Sequence, residues 1–259
     1  MIIKNKKQID LMREAGILLH KAHMVAKEMC EAGVTTEAIN AEVEKYITSN
    51  GATPLFKGVP GKVPFPAGCC MSINEAIVHG IPSARKLENG DILSIDIGVR
   101  LNGWCSDCAV THAIGEIDDE KRKLMDVTEE CLRIAIKRIK PGVKWSKIAK
   151  EMSKYARNEG FSVVESLVGH GIGEGLWESP QVPNYHSRLV KDFKLKQGLV
   201  IAVEPMINAG VKTTETLKDH WTIVTKDGKP SAHFEHTIAV TSTGSQVLTC
   251  GENGEGWAM

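Results

Sequence analysis

The chain has 259 residues, of which 42% are hydrophobic and 25% charged; this is ordinary globular usage and excludes disordered and collagen-like chains. Lysine plus arginine equals aspartate plus glutamate at 32 each, so there is no global field to hold nucleic acid or an anionic membrane, and neither is an expected partner. The seven cysteines are irregularly spaced in a chain well beyond disulfide-scaffold size, and there is no apolar run of signal-peptide or membrane-spanning length, so reduced thiols and a cytoplasmic location are expected.

Residues 7–30 predict a helix, with Ile9, Met12, Gly16, Leu19, His23 and Ala26 on one face and Gly33 beyond its end. Thr36 is the expected cap of a second helix to about Ser49, closed by Gly51 and Pro54. After a Gly/Pro-rich loop at 57–68, strands are predicted at 69–78 and 91–99, the second joined to 104–112 through the tight-turn dipeptide Asn102-Gly103. Residues 118–140 read as a helix with an acidic start and a basic end, stopped by Pro141-Gly142. A fourth helix is predicted at 146–158, with Ile148, Met152, Tyr155 and Ala156 on one face and Gly160 after it. Strands follow at 162–168, 198–204, 221–225 and 232–240, with an Asp227-Gly228 turn before the last. No composition shift marks a linker, so one domain over 1–259 is expected. Cys105 and Cys108 form a C-x-x-C with no second pair at finger spacing, which reads as coincidence.

The hairpin carries a prediction about side chains. A two-residue loop at Asn102-Gly103 pairs Leu101 with Trp104 and Gly98 with Asp107, and Asp96 lies two residues from Gly98 on the same face. Asp96 and Asp107 thus become diagonal neighbours with Cβ atoms about 7 to 8 Å apart, able to converge on ions between them. Glu204 ends the run Leu199-Val-Ile-Ala-Val203, and Glu235 sits between Phe234 and His236 ahead of Thr237-Ile-Ala-Val240. A buried, unpaired carboxylate costs several kcal/mol, roughly, so each needs an arginine, a donor network or a metal. His170 stands within Gly169-His-Gly-Ile-Gly173, where glycines permit close backbone approach.

Six segments together resemble the type I methionine aminopeptidases: Val78-His-Gly-Ile-Pro82, Ser94-Ile-Asp-Ile-Gly98, Gly103-x-x-x-Asp107, Gly169-His-Gly-Ile-Gly173, Val203-Glu-Pro-Met206 and Phe234-Glu-His-Thr-Ile238. They occur in order over nearly the whole chain, and their combination is specific where each alone is weak. The resemblance implies an α/β (α+β) pita-bread fold, with two pseudo-symmetric halves of curved antiparallel sheet backed by helices. It implies a hydrolase that removes the initiator methionine from nascent proteins, preferring a small second residue. It further implies two divalent ions held by Asp96, Asp107, His170, Glu204 and Glu235, with Asp107 and Glu235 bridging them. This mostly hard-oxygen donor set suits Mn, Fe or Co, with Zn admissible. Glu204 is then also the proton shuttle, and His79 the histidine that contacts the scissile amide. The positions matching the methionine pocket are Phe65, Cys70, Leu176 and Trp221, while Lys62 stands where many members carry an aromatic residue. The implied partners are nascent polypeptide N-termini, with the ribosome as a further candidate, and a monomer is expected.

The chain departs from the family at one position. The segment Gly175-Leu-Trp177-Glu-Ser-Pro180 carries Trp177 where the family has a second histidine. An indole N–H donates a hydrogen bond but neither accepts one nor carries a proton, and loss of one such donor costs roughly 10² to 10³ in rate. Trp177 is therefore a substrate-binding candidate, and a weakly active or non-catalytic homologue that holds peptide N-termini is a rival reading. A proline-specific peptidase of the same fold is another, although those usually carry an extra N-terminal domain.

Overall fold

The computed structural model describes residues 1–187 and 191–256. The chain begins with α1 (Lys6–Glu28) and α2 (Thr36–Ser49), then β1 (Thr53–Pro54), β2 (Cys69–Ile73), β3 (Ala76–Val78), β4 (Ile92–Leu101) and β5 (Trp104–Ala113). Two more helices, α3 (Asp119–Arg138) and α4 (Trp145–Asn158), precede an all-strand remainder. That remainder comprises β6 (Ser162–Val163), β7 (Gly169–Gly171), β8 (Glu178–Val182), β9 (Val200–Val203) and β10 (Met206–Asn208), then β11 (Thr214–Thr216), β12 (Ile223–Thr225), β13 (Ser231–His233), β14 (Glu235–Val240) and β15 (Ser245–Val247).

The helices start where local chemistry satisfies their free N–H groups. Asn5 and Gln8 form a reciprocal capping box on α1, and Asp118 caps α3 through Lys121 N–H at 2.8 Å. For α2 the expected cap shifts by one residue. Thr35 accepts from Ala38 N–H, whereas Thr36 is buried and exchanges hydrogen bonds with the Ser83 backbone, accepting its N–H at 2.9 Å and donating to its carbonyl at 3.1 Å. In α1 the predicted face is buried from Met12 to Ala26. A Cβ at Gly16 would lie 1.9 Å from the Leu248 carbonyl oxygen, so only glycine lets the helix settle on that segment.

Nine strands form one antiparallel sheet in the order β1-β4-β5-β14-β9-β7-β8, with β2 beside β4 and β15 beside β14. Helices α1 and α2 pack on β1, β2, β4 and β5, α3 packs on β14 and β15 and also on β13 and β10, α4 lies beside α3 against β6, and one apolar cluster runs from Ala15 through Trp145 to Val240. The predicted strand at 69–78 breaks at Asn74, whose φ is 50° and whose side chain accepts Ile92 N–H at 3.0 Å and donates to Asp91 at 2.7 Å. The predicted strand at 232–240 also breaks, because β13 joins a three-stranded sheet with β10 and β6 while β14 enters the large sheet. The predicted strand at 162–168 shortens to β6, and the rest of that segment turns into the wall of a cleft. Cys105 and Cys108 lie in different apolar clusters and both are free thiols, in keeping with a coincidental C-x-x-C. Among the described residues no helix is long and apolar enough to cross a membrane.

Candidate active site

Strand register brings the five ligand candidates together. Gly98 pairs with Asp107 and Asp96 with Ala109, as the hairpin arithmetic requires. Ala109 also pairs with Glu235 on its other side, so Asp96, Ala109 and Glu235 stand in one row across β4, β5 and β14. His236 pairs with Val203, which puts Glu204 opposite Glu235 just past the end of β9. His170 pairs with Ala202, two residues before Glu204. Because alternate residues share a face of a sheet, all five side chains emerge on one face, around the small methyl of Ala109. At Gly98 the absent side chain makes room for Phe56, whose ring would lie 2.9 Å from a Cβ there.

Distances match this placement. His170 Nε2 lies 3.7 Å from an oxygen of Asp107 and 3.7 Å from one of Glu204. Its Nδ1–H donates to the Gly171 carbonyl at 2.9 Å, which turns Nε2 toward the carboxylates, the nitrogen that a metal would take in exchange for its proton. Asp107, His170 and Glu235 each offer a ligand atom within 4.8 Å of the others. Oδ1 of Asp96, Oδ1 of Asp107 and Oε1 of Glu235 are buried without a hydrogen-bond partner. Among the described residues no lysine or arginine forms an ion pair with these carboxylates or with Glu204; their ionic neighbours are His170 and His233. The arginine alternative is thereby removed, and the residues fit a bound cation.

Electrostatics agree. Burial, reinforced by repulsion from Asp107 and Glu204, holds the Asp96 carboxyl well above its usual range, and burial with the same neighbours does so for Glu235. Burial pushes Glu204 up to about 8, with His170 opposing and Asp107 reinforcing. For His170, burial is outweighed by Asp107 and Glu204, which raise it to about 9. Crowded carboxylates of this kind are relieved by positive charge.

The cleft above them has a volume of about 630 Å³. His79 lines it directly after β3 with φ of 57°, a left-handed conformation uncommon outside glycine. Burial lowers the pKa of its imidazole, so the ring is neutral near pH 7. Phe65 and Trp221 also line the cleft, edge to face at 5.3 Å, and the Trp221 indole N–H is fixed on the Val63 carbonyl at 2.7 Å. Cys70 lines it too, opposite Asp96 in register. Leu176 does not border the cleft. The chain tightens where Gly173 N–H donates to the Gly175 carbonyl, and Leu176 lies buried in an apolar cluster with Met12, Trp104 and Ile172. Trp177 borders the cleft at its mouth, 59% exposed; it is no packing residue.

Several cleft residues escaped the sequence reading. Phe56 and Val59 come from a loop that gave no periodic signal, and Leu167 from the segment read as strand. Glu178 borders the cleft while its carboxylate meets the buried Lys4 ammonium at 2.6 Å, a partner 174 residues away. His233 is buried there as well, its pKa lowered by burial to about 3; a lone histidine at a strand end carried no signal.

The curled antiparallel sheet backed by two helix pairs is a pita-bread fold, and the carboxylate-rich face beneath its cleft is that of a metallopeptidase. The chain belongs to metallopeptidase family M24, whose profile matches residues 10–242. It is 46% identical over 249 residues to methionine aminopeptidase 1 of Bacillus subtilis, covering 96% of this chain and 99% of that one. The crystal structure of methionine aminopeptidase from Rickettsia prowazekii superposes with a TM-score of 0.92 at 36% identity, covering 96% and 99% of the two chains. The prolidase of Pyrococcus horikoshii matches with a TM-score of 0.78 at 25% identity, over 97% of this chain but 64% of that one.

Proposed function

We propose that this protein is a methionyl aminopeptidase that hydrolyses the first peptide bond of polypeptides beginning with an unblocked methionine. The observation that carries the reading is the row of carboxylates on one sheet face, three with buried, unpartnered oxygens and none with a lysine or arginine ion-pair partner among the described residues. Asp96, Asp107, His170, Glu204 and Glu235 would hold two divalent ions, Mn, Fe or Co before Zn. When bound, such ions polarise a carbonyl, anchor a free amine and lower the pKa of water. Glu204, whose pKa of about 8 places it near neutrality, takes the proton of the attacking water and returns it to the leaving amine. Neutral His79 hydrogen-bonds the scissile amide. Phe65, Cys70 and Trp221, with Phe56, receive the thioether, since ring edges suit sulfur.

The whole chain, 1–259, acts as one catalytic domain in this reading, supported by the continuous apolar cluster that joins residues of both helix pairs and of the large sheet. Seven free thiols favour a reducing, cytoplasmic setting, where nascent chains are the natural substrates of a monomeric enzyme and the ribosome that presents them is a further partner. Metal-stripped protein reconstituted with Mn(II) or Co(II) should release methionine from Met-Ala-Ser and leave N-acetyl-Met-Ala-Ser and Ala-Pro intact. Equal cleavage of the acetylated and free peptides would refute amine anchoring.

Trp177 holds the place of a substrate donor at the cleft mouth. Its exposure makes exchange structurally cheap, within about 0.5 kcal/mol. Trp177→His should raise kcat/KM about tenfold, about 1.4 kcal/mol of transition-state stabilisation, and Trp177→Phe should lower it. Identical kinetics for parent and both variants at equal metal content would remove Trp177 from the reaction.

A further inference from the structure

His233 is 2% exposed and borders the cleft, yet both its ring nitrogens lack a hydrogen-bond partner. Its backbone has no freedom to relieve this. Its N–H donates to the Thr111 hydroxyl at 3.0 Å, and its carbonyl accepts from the same hydroxyl at 2.8 Å. A buried polar group left unmade costs about 1 to 3 kcal/mol, so a residue fixed in this way points to a partner gained in the working state. A candidate lies two residues on. His233 Nε2 stands 3.9 Å from Glu235 Oε2, and the other oxygen of Glu235 is itself buried and unpartnered. The break between β13 and β14 creates this juxtaposition, because residues 233 and 235 belong to different sheets.

Resting on the dinuclear reading above, we propose that His233 is a positioning residue whose ring N–H donates to the Glu235 carboxylate and aims its remaining lone pairs at the metal ions. The separation of 3.9 Å exceeds hydrogen-bond length by about 1 Å, so this bond requires the glutamate carboxylate to turn toward the ring when the site is loaded. A carboxylate oxygen has two lone pairs, so it accepts this bond and still coordinates. Bonds of this kind from the outer layer of a metal site set ligand orientation, and their loss typically lowers metal affinity about 10- to 100-fold.

The test is calorimetric titration of Mn(II) into the metal-stripped full chain, comparing the parent with His233→Leu and His233→Gln. Leucine should weaken Mn(II) binding by about tenfold or more, glutamine should restore it to within about threefold because its amide N–H donates, and the melting temperature of the metal-free leucine variant should not fall. Leucine binding Mn(II) as tightly as the parent, with a change confined to KM or second-residue preference, would make His233 a wall of the substrate cleft and overturn the proposal. Failure of glutamine to restore affinity would overturn it equally. A leucine variant that does not fold passes its part of the comparison to His233→Met. A parent that takes up no Mn(II) would instead defeat the metallopeptidase reading itself, and this proposal with it.

Discussion

Glu204→Gln will lower kcat by on the order of 10³ or more while making the metal-free protein more stable by about 2 to 4 kcal/mol at pH 8. The two effects share one cause. Glu204 is a carboxylate that burial pushes to about 8, above the roughly 4.3 of an unfolded chain. A raised acid favours its protonated form in the folded state, so its stabilising contribution is full below the unfolded pKa and is lost as pH rises through about 8. In chelator the parent should therefore lose stability between about pH 4.5 and pH 8, and divalent metal should stabilise it more at pH 8 than at pH 6. Glutamine is nearly isosteric and uncharged, so it removes the burial cost of the charge, which is the largest effect, and the repulsion with Asp107, while giving up the attraction to His170. It also removes a ligand and the proton acceptor, which together exceed the 10²- to 10⁴-fold that a general base alone contributes, by about an order of magnitude. Urea denaturation in chelator at the two pH values, beside turnover of Met-Ala-Ser, reads both. A variant less stable than the parent at pH 8 in chelator, or one with kcat within tenfold, would contradict the electrostatic account.

Much of the site was legible because strand chemistry is arithmetic. The Asn102-Gly103 turn fixes Leu101 against Trp104, and every pair counted outward then follows, including Gly98 with Asp107. An apolar run ending in Glu204 and another beginning just after Glu235 located the two acids, although the register that sets one opposite the other depends on a β9–β14 pairing between distant segments. Short elements were not legible. β7 has three residues, two of them glycine, and reads as loop until His170 is seen between Ala202 and Gln181. Leu176 was placed by motif position, and the structure packs it in the apolar cluster that also holds Phe65 and Cys70, though not on the border of the cleft itself. The change of sheet at Phe234 has no periodic signature, since both sides of it are buried strand. Adjacent threonines at 35 and 36 are equally good caps by type, and only the Ser83 backbone, 47 residues on, decides between them. What escaped is thus contact made over long separations, and the cleft wall holds the strongest instance.

Lys4→Met will destabilise the protein by about 3 to 5 kcal/mol, the cost of breaking a buried pair by removing one partner. Lys4 Nζ meets Glu178 Oε2 at 2.6 Å, with the two side chains 2% and 9% exposed. The remaining Glu178 oxygen accepts Gly175 N–H at 3.3 Å. A Cβ at Gly173 would lie 2.5 Å from both Glu178 Oε1 and Lys4 Cε, so the turn is closed tightly over the pair. With lysine gone, the carboxylate must stay charged in an apolar enclosure, take up a proton, or swing outward and carry Trp177 and the mouth of the cleft with it. Each of these weakens the anchor between the N-terminal segment, itself held by Lys4 N–H on the Gly198 carbonyl, and the start of β8. The double variant Lys4→Met with Glu178→Met should recover most of the loss, because replacing both partners of a buried pair by apolar groups is often near neutral. A double-mutant cycle in urea measures the coupling directly. Single variants within about 1 kcal/mol of the parent, or a double variant as unstable as the sum of the singles, would show that the pair contributes nothing beyond its exposed counterparts. Turnover of the Lys4→Met protein below its melting range should fall through KM more than kcat, since the displaced group belongs to the wall of the cleft and not to the carboxylate row.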